Sequence, residues 1–234
     1  MKKNIAIFLS FIFLACQSVK ADMAIGITGA MHMFDASGTE TTRTSGQKNT
    51  GSNSDEVLVP ELFVESGSDG LTLGLSYIPT RQIGSKSRTD SNTGGDSGTY
   101  KAEAELDNVL QLYVDYSVSE FNGAEIYLKG GIQHATIVTL ESLNSGSTYP
   151  NKDVFGYTIG IGAKGDLPTA NTFYKADLTY TDFGEYSADS DGSTGNKVEA
   201  DLEAVSVKLL SLIHISEPTR LRRIGDAVFG LNKN

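Results

Sequence analysis

The 234-residue chain has one cysteine, no tryptophan and five prolines. The cysteine, Cys16, lies in an N-terminal stretch, "MKKNIAIFLSFIFLACQSVKA", where Lys2 and Lys3 precede an apolar run from Ile5 to Ala15 and small residues lead up to Asp22. That order predicts a secretory signal peptide over residues 1–21, too short and wrongly flanked for a membrane-spanning helix. An acylated Cys16 is the alternative, though Phe13, Leu14 and Ala15 before it fit a lipobox poorly. If Cys16 leaves with the leader, the remaining chain enters an oxidising compartment without disulfides, a thiol nucleophile or a cysteine metal site.

Two further shortages narrow the class. No later stretch is apolar enough for a spanning helix, so a membrane-embedded form must be a closed barrel. Positive charge is also scarce: outside the leader and residues 210–234, 12 Lys and Arg face 27 Asp and Glu, a net charge of −15. Such a balance argues against nucleic acid as a partner.

What the chain does have is period-2 alternation. Ile25, Ile27, Met31 and Met33 share one face of a first segment, with Gly26, Thr28 and His32 on the other. The clearest strand sets Leu106, Asn108, Leu110, Leu112, Val114, Tyr116 and Val118 against Asp107, Val109, Gln111, Tyr113, Asp115 and Ser117. Eight such segments alternate between four long polar connectors, at about residues 35–54, 84–104, 141–153 and 185–200, and three short turns, "GSDG", "EFNGA" and "GDLPTAN". No sustained 3.6-residue period is present, which predicts an all-β fold.

Eight alternating strands bury one face in either a soluble barrel with an apolar interior or a membrane barrel with an apolar exterior. The alternation of long and short connectors favours the second. The second face carries Glu61, Asp107, Asp115, Glu125, Lys129, Lys164, Lys175 and Asp177. In a lumen too narrow for bulk water these charges must pair, which predicts a filled barrel. Tyr77, Tyr116, Phe155, Tyr174 and Tyr180 are expected in two interfacial aromatic girdles, together with Phe34, Phe121 and Phe183.

The segments "GLTLGLSYIP", "NVLQLYVDYSV" and "FGYTIGIGAKGDL", with the leader and the loop rhythm, resemble small OmpA/OmpX-type outer-membrane barrels, of the kind called porin-family or opacity-like. The resemblance covers residues 22–209. It implies an eight-stranded up-and-down antiparallel transmembrane β-barrel in the outer membrane of a Gram-negative bacterium, in contact with outer-membrane lipid and the barrel-assembly machinery. It also implies extracellular loops open to a ligand, and roles that range from envelope integrity and adhesion to slow solute diffusion.

Barrels of this kind end on an apolar strand with a terminal aromatic residue, and this chain departs from that pattern. Its residues 210–220, "LSLIHISEPTR", look like a translated sequencing-library adapter, and "IGDAVFGLNKN" resembles a translated flow-cell end. Residues 210–234 are therefore expected to be a non-native tail fused to a truncated last strand, and His214 carries no functional weight.

No catalytic constellation is legible. His32 and His134 lie on separate strands, and His32, near the expected end of the first strand, is the one candidate for a rim enzyme. "GYTIGIGAKG" lacks the GK[ST] and helix of a phosphate loop, and "DSDGSTGN" misplaces the glycine of a calcium loop. The reading is a non-enzymatic barrel without metal or cofactor, with a structural or surface-interaction role. A minor porin-like channel and a secreted soluble ligand-binding barrel are the alternatives.

Overall fold

A computed structural model describes residues 22–90, 98–142, 147–168, 172–192 and 194–215. The expected signal peptide and residues 216–234 lie outside these. The described chain is all β: β1 (Asp22–Thr41), β2 (Lys48–Ser68), β3 (Leu71–Ile78), β4 (Arg81–Asp90), β5 (Gly98–Phe121), β6 (Ala124–Ser142), β7 (Lys152–Asp166), β8 (Thr172–Asp189) and β9 (Lys197–Ile215). All pairings are antiparallel between sequence neighbours, except that β1 also pairs β9 and β3 also pairs β5. These two contacts close an eight-stranded ring. β4 continues β3 along the same partner, β5, after an interruption at Pro79, whose missing N–H cannot join a ladder.

Burial shows which face meets what. Outward residues in the half nearest the short turns are large and apolar, including Ile27, Leu73, Val114, Ile132, Ile159 and Leu209, all exposed. Their inward neighbours are charged or polar and buried: Glu61, Glu65, Asp115, Lys129, Lys175 and Asp177. A soluble barrel would place these sets the other way round, since an uninterrupted apolar exterior has no place in water. The chain is a transmembrane β-barrel with an outward apolar band over the stretch from Ile25 to Met33 of β1 and the facing parts of the other strands.

Aromatic residues flank that band in two tiers. Tyr77 and Phe155 lie at one level through the register Tyr77, Leu110, His134, Phe155, with Tyr157 and Tyr180 close by on β7 and β8. Tyr116, Tyr174 and Phe121 stand nearer the turns. Phe34 and Phe183 do not join either tier. They are buried inside the barrel, rings 6.3 Å apart, because their positions are on the inward parity of β1 and β8.

Among the described residues, three of the four long polar connectors are mostly strand, the exception being residues 141–153. β1 and β2 pair as far as Thr41 and Lys48, and β8 and β9 as far as Asp189 and Lys197. β5 runs for 24 residues, whereas a tilted strand needs only about 9–11 to cross a bilayer. The surplus projects from the side opposite the short turns. Polar Ser, Thr and Asn tolerate this pairing because both faces of an extension outside lipid can be wetted.

A bulge separates the two halves of β5. Its register against β6 shifts between Asp107 and Leu110, with Asn108 at φ 52°, a left-handed conformation Asn tolerates better than most residues. The extra residue exchanges the faces beyond it. Leu106, expected outside, is buried inward, and Asp107, expected in the lumen, turns to the outer side, where it accepts hydrogen bonds from Thr80 and Asn108. β9 continues in backbone pairing through residues 210–215, with Met23 opposite Ile215.

Candidate functional site

The inside of the barrel has two storeys. The lower, level with the apolar band, is a charged network. Lys175 Nζ reaches Asp115 Oδ2 at 2.6 Å and Glu65 Oε2 at 2.7 Å. Lys129 Nζ lies 2.7 Å from Asp115 Oδ1 and 3.4 Å from Asp177 Oδ2. Lys208 Nζ lies 2.7 Å from Glu61 Oε2. Charges of both signs alternate, as they must where neither partner can be solvated.

Two tyrosines complete this storey. Tyr113 donates to Glu65 at 3.0 Å and Tyr127 donates to Asp177, while Lys129 Nζ sits 3.6 Å from the Tyr113 ring centroid. The cation is held by the negative ring face as well as by carboxylates. Each ring covers a glycine on a neighbouring strand: Tyr113 lies over Gly74 and Tyr127 over Gly162, so close that a Cβ there would stand 2.1 and 2.2 Å from ring carbons. Above them Gln111, Gln133, Thr158 and Thr181 form a hydrogen-bonded cluster across the lumen.

Of the charges expected in the lumen, Glu61, Asp115, Lys129, Lys175 and Asp177 are thus brought together. Glu125 and Lys164 pair with each other at 3.1 Å near the turn end and are partly exposed. Asp107 stands apart on the outer side of β5. Glu65 and Lys208 are members that sequence reasoning missed. Both were legible, since Glu65 shares the parity of Glu61, and Lys208 shares that of the inward Ser206.

The upper storey is apolar. Phe34, Ile83, Leu106, Ile137, Phe183 and Leu202 belong to one buried cluster inside the extension. Arg81 lies against it, 5.2 Å from the Phe34 ring centroid. A cavity of about 400 Å³ opens above this floor, between β1, β2, β4, β5, β6, β8 and β9. Tyr149 borders it, and the segment 147–151, the roof, is tied to the top of the extension. Tyr149 donates from its hydroxyl to Glu40 at 2.9 Å, Tyr186 donates to the Pro150 carbonyl at 2.7 Å, and Ser147 bonds Thr194 at 2.8 Å. Burial raises the Glu141 carboxyl above its usual range; burial, then the hydrogen bond to Glu40, raises the Tyr149 hydroxyl.

His32 does not stand at a rim. β1 continues well past it, so His32 is buried in mid-barrel, Nδ1 2.7 Å from Ser206 Oγ and its ring stacked on Phe34. His134 faces outward, edge-on to Phe155 and 3.8 Å from Asp153. Among the described residues no three His, Cys, Asp or Glu stand close enough to share a metal ion.

No family model matches the chain, and no curated protein sequence does. Solved structures similar to it include the outer membrane protein AlkL in lipid bilayers, at 11% identity and TM-score 0.49, covering 85% of this chain and 93% of that one. A major outer membrane protein from Thermus thermophilus is similar at 11% identity and TM-score 0.46, covering 80% and 98%. The outer membrane protease OmpT from Escherichia coli is similar at 11% identity and TM-score 0.44, covering 84% and 99%.

Proposed function

We propose that this chain is an outer-membrane barrel of a Gram-negative bacterium with a structural and surface-interaction role, its lumen closed by paired charges and its strand extension facing the cell exterior. The observation that carries this reading is the set of ion pairs linking Glu65, Lys175, Asp115, Lys129 and Asp177 across the lower storey. Five buried charged side chains at contact distance, with the Tyr113 and Tyr127 rings among them, leave ions no hydrated path, and moving a lone ion through them would cost its desolvation. The apolar upper storey adds a second barrier.

The direction follows from the connections. Short turns border the apolar band directly, as on the periplasmic side of such barrels, so the extended strands and their roof face outward. The exposed rim of the extension offers recognition by contact.

Planar-bilayer recording of the refolded barrel tests the closed lumen. Stable step currents in the wild-type chain would replace this reading with a minor channel. Silence in the wild type, with steps after Tyr113→Ala and Tyr127→Ala are combined, is the expected result.

A further inference from the structure

The extension is not sealed all round. β2 pairs β3 only over Leu62 to Ser68, and among the described residues no ladder joins the upper part of β2 to β4, although the two strands run close together. Prolines bracket this seam: Pro60 on β2 and Pro79 at the break before β4, neither of which can donate to a ladder. A Cβ at Gly84 on β4 would stand 3.2 Å from Asn53 Nδ2 on β2, so here the Asn53 side chain faces the β4 backbone in place of a ladder hydrogen bond.

The cavity lies behind this seam. Asn53, Ile83, Gly84 and Lys86 border it there, while Ala104, Ile137 and Leu202 supply apolar wall elsewhere. Four carboxylates, Glu40, Glu103, Glu141 and Asp201, also border it, against one lysine. Glu103 is paired with Lys101 at 2.8 Å, whereas Glu40 and Glu141 receive hydrogen bonds from neutral donors: Tyr149 and Asn196 for the first, the Tyr149 backbone and Thr139 for the second. The rings of Tyr149 and Tyr186 border the same space. Apolar walls with a few convergent polar groups, in a volume of this size, are the features of a small-molecule site, and carboxylates with tyrosine faces select positive charge.

We infer that the upper storey binds an apolar organic cation, such as an alkyl or aryl ammonium, which enters sideways between β2 and β4, where no ladder joins the wall. This goes beyond the structural role proposed above and is independent of whether the lower storey conducts.

The mature barrel in phospholipid nanodiscs, with empty nanodiscs as baseline, tests this by ligand-observed NMR. Three probes share one chain and differ in head group: octyltrimethylammonium, octanol and octanoate. Saturable binding of the ammonium is expected, with octanol and octanoate each weaker by about tenfold or more. Ala200→Phe, which fills the space, abolishes it, and Glu141→Gln weakens it severalfold. Equal binding of octanoate, or binding unchanged in Ala200→Phe, would overturn the site.

Residues 22–234 contain no cysteine, which permits a second test that does not depend on a filled core. In Asn53→Cys/Gly84→Cys, oxidation should slow probe exchange and reductant should restore it in the same folded sample. Equal exchange rates in the two redox states would overturn entry through the seam.

Discussion

Lys175 Nζ lies 2.6 Å from Asp115 Oδ2, a contact between residues 60 apart in sequence that spans the lumen from β8 to β5. Both side chains are almost wholly buried, and Lys175 also holds Glu65 while Asp115 also holds Lys129. Removing one member strands the others. Asp115→Asn or Lys175→Met is expected to destabilise the barrel by about 3–5 kcal/mol. The double variant should cost less than the sum, a coupling that a double-mutant cycle measures. Unfolding by denaturant in lipid vesicles, followed by far-UV circular dichroism because the chain has no tryptophan, reads the difference. Additive losses would show that the pair contributes nothing as a pair.

The Tyr113 ring over Gly74 makes a second coupled pair. Gly74→Ala is expected to cost about 1–3 kcal/mol through overpacking, and most of that cost should vanish in the Tyr113→Ala background. A Gly74→Ala variant as stable as the wild type would mean that the ring relocates freely.

On the outside, Ile159 stands near the middle of the apolar band, exposed and flanked by the aromatic tiers. Ile159→Arg should reduce stability in bilayers by about 2–4 kcal/mol. The same change at Ser52, opposite Ser37 and beyond the band on β2, should be nearly neutral. Equal effects at both would contradict the placement of the membrane.

The roof depends on Tyr149 and Glu40. Tyr149→Phe should speed proteolysis within residues 147–151 while leaving the barrel resistant. Because burial raises the Glu141 carboxyl, folding favours its protonated form. Its contribution is complete below the unfolded carboxylate value and is lost as pH rises through the raised folded value. Protection of the roof should therefore fall over that window, and Glu141→Gln should flatten the dependence. A slope unchanged in Glu141→Gln would assign it to another group.

The last strand offers a fifth test. Residues 210–215 pair with β1 as backbone, yet their sequence resembles translated adapter. Replacing residues 210–234 with a short apolar strand ending in Phe should raise the yield of heat-modifiable, membrane-assembled barrel in cells. No gain would indicate that assembly reads another signal. A long read of the source DNA across the codon for Leu210 checks the tail directly.

The lipid face was legible because one parity rule holds from Ile25 to Met33 and from Leu110 to Val118, and a strand in a barrel has only two faces. The rule failed at Asn108, where one extra residue exchanges them, and nothing in "LDNVL" marks a bulge except an asparagine that many strands carry. Strand length was equally hidden. Runs of Ser, Thr, Gly and Asn have the composition of loops, and only long-range pairing, such as Glu40 with Val198, makes them strand. The apolar upper storey was missed for the same reason: Ile83, Leu106, Ile137 and Leu202 lie in or beside segments read as loop or as lipid face.

The surplus length of β5 has a geometric consequence. Twelve residues from Gly98 to Val109 precede the lipid-facing part of that strand, and at about 3.3 Å per residue with a tilt near 40° they rise roughly 30 Å. The roof is tied to Thr139 and Glu141, opposite Ala104 and Ala102 of β5, and so stands at half that height, roughly 15 Å, above the headgroups on a chimney of paired backbone. A large soluble molecule can touch it without approaching the bilayer, and a small one trapped beneath it has left bulk water before it meets any lipid.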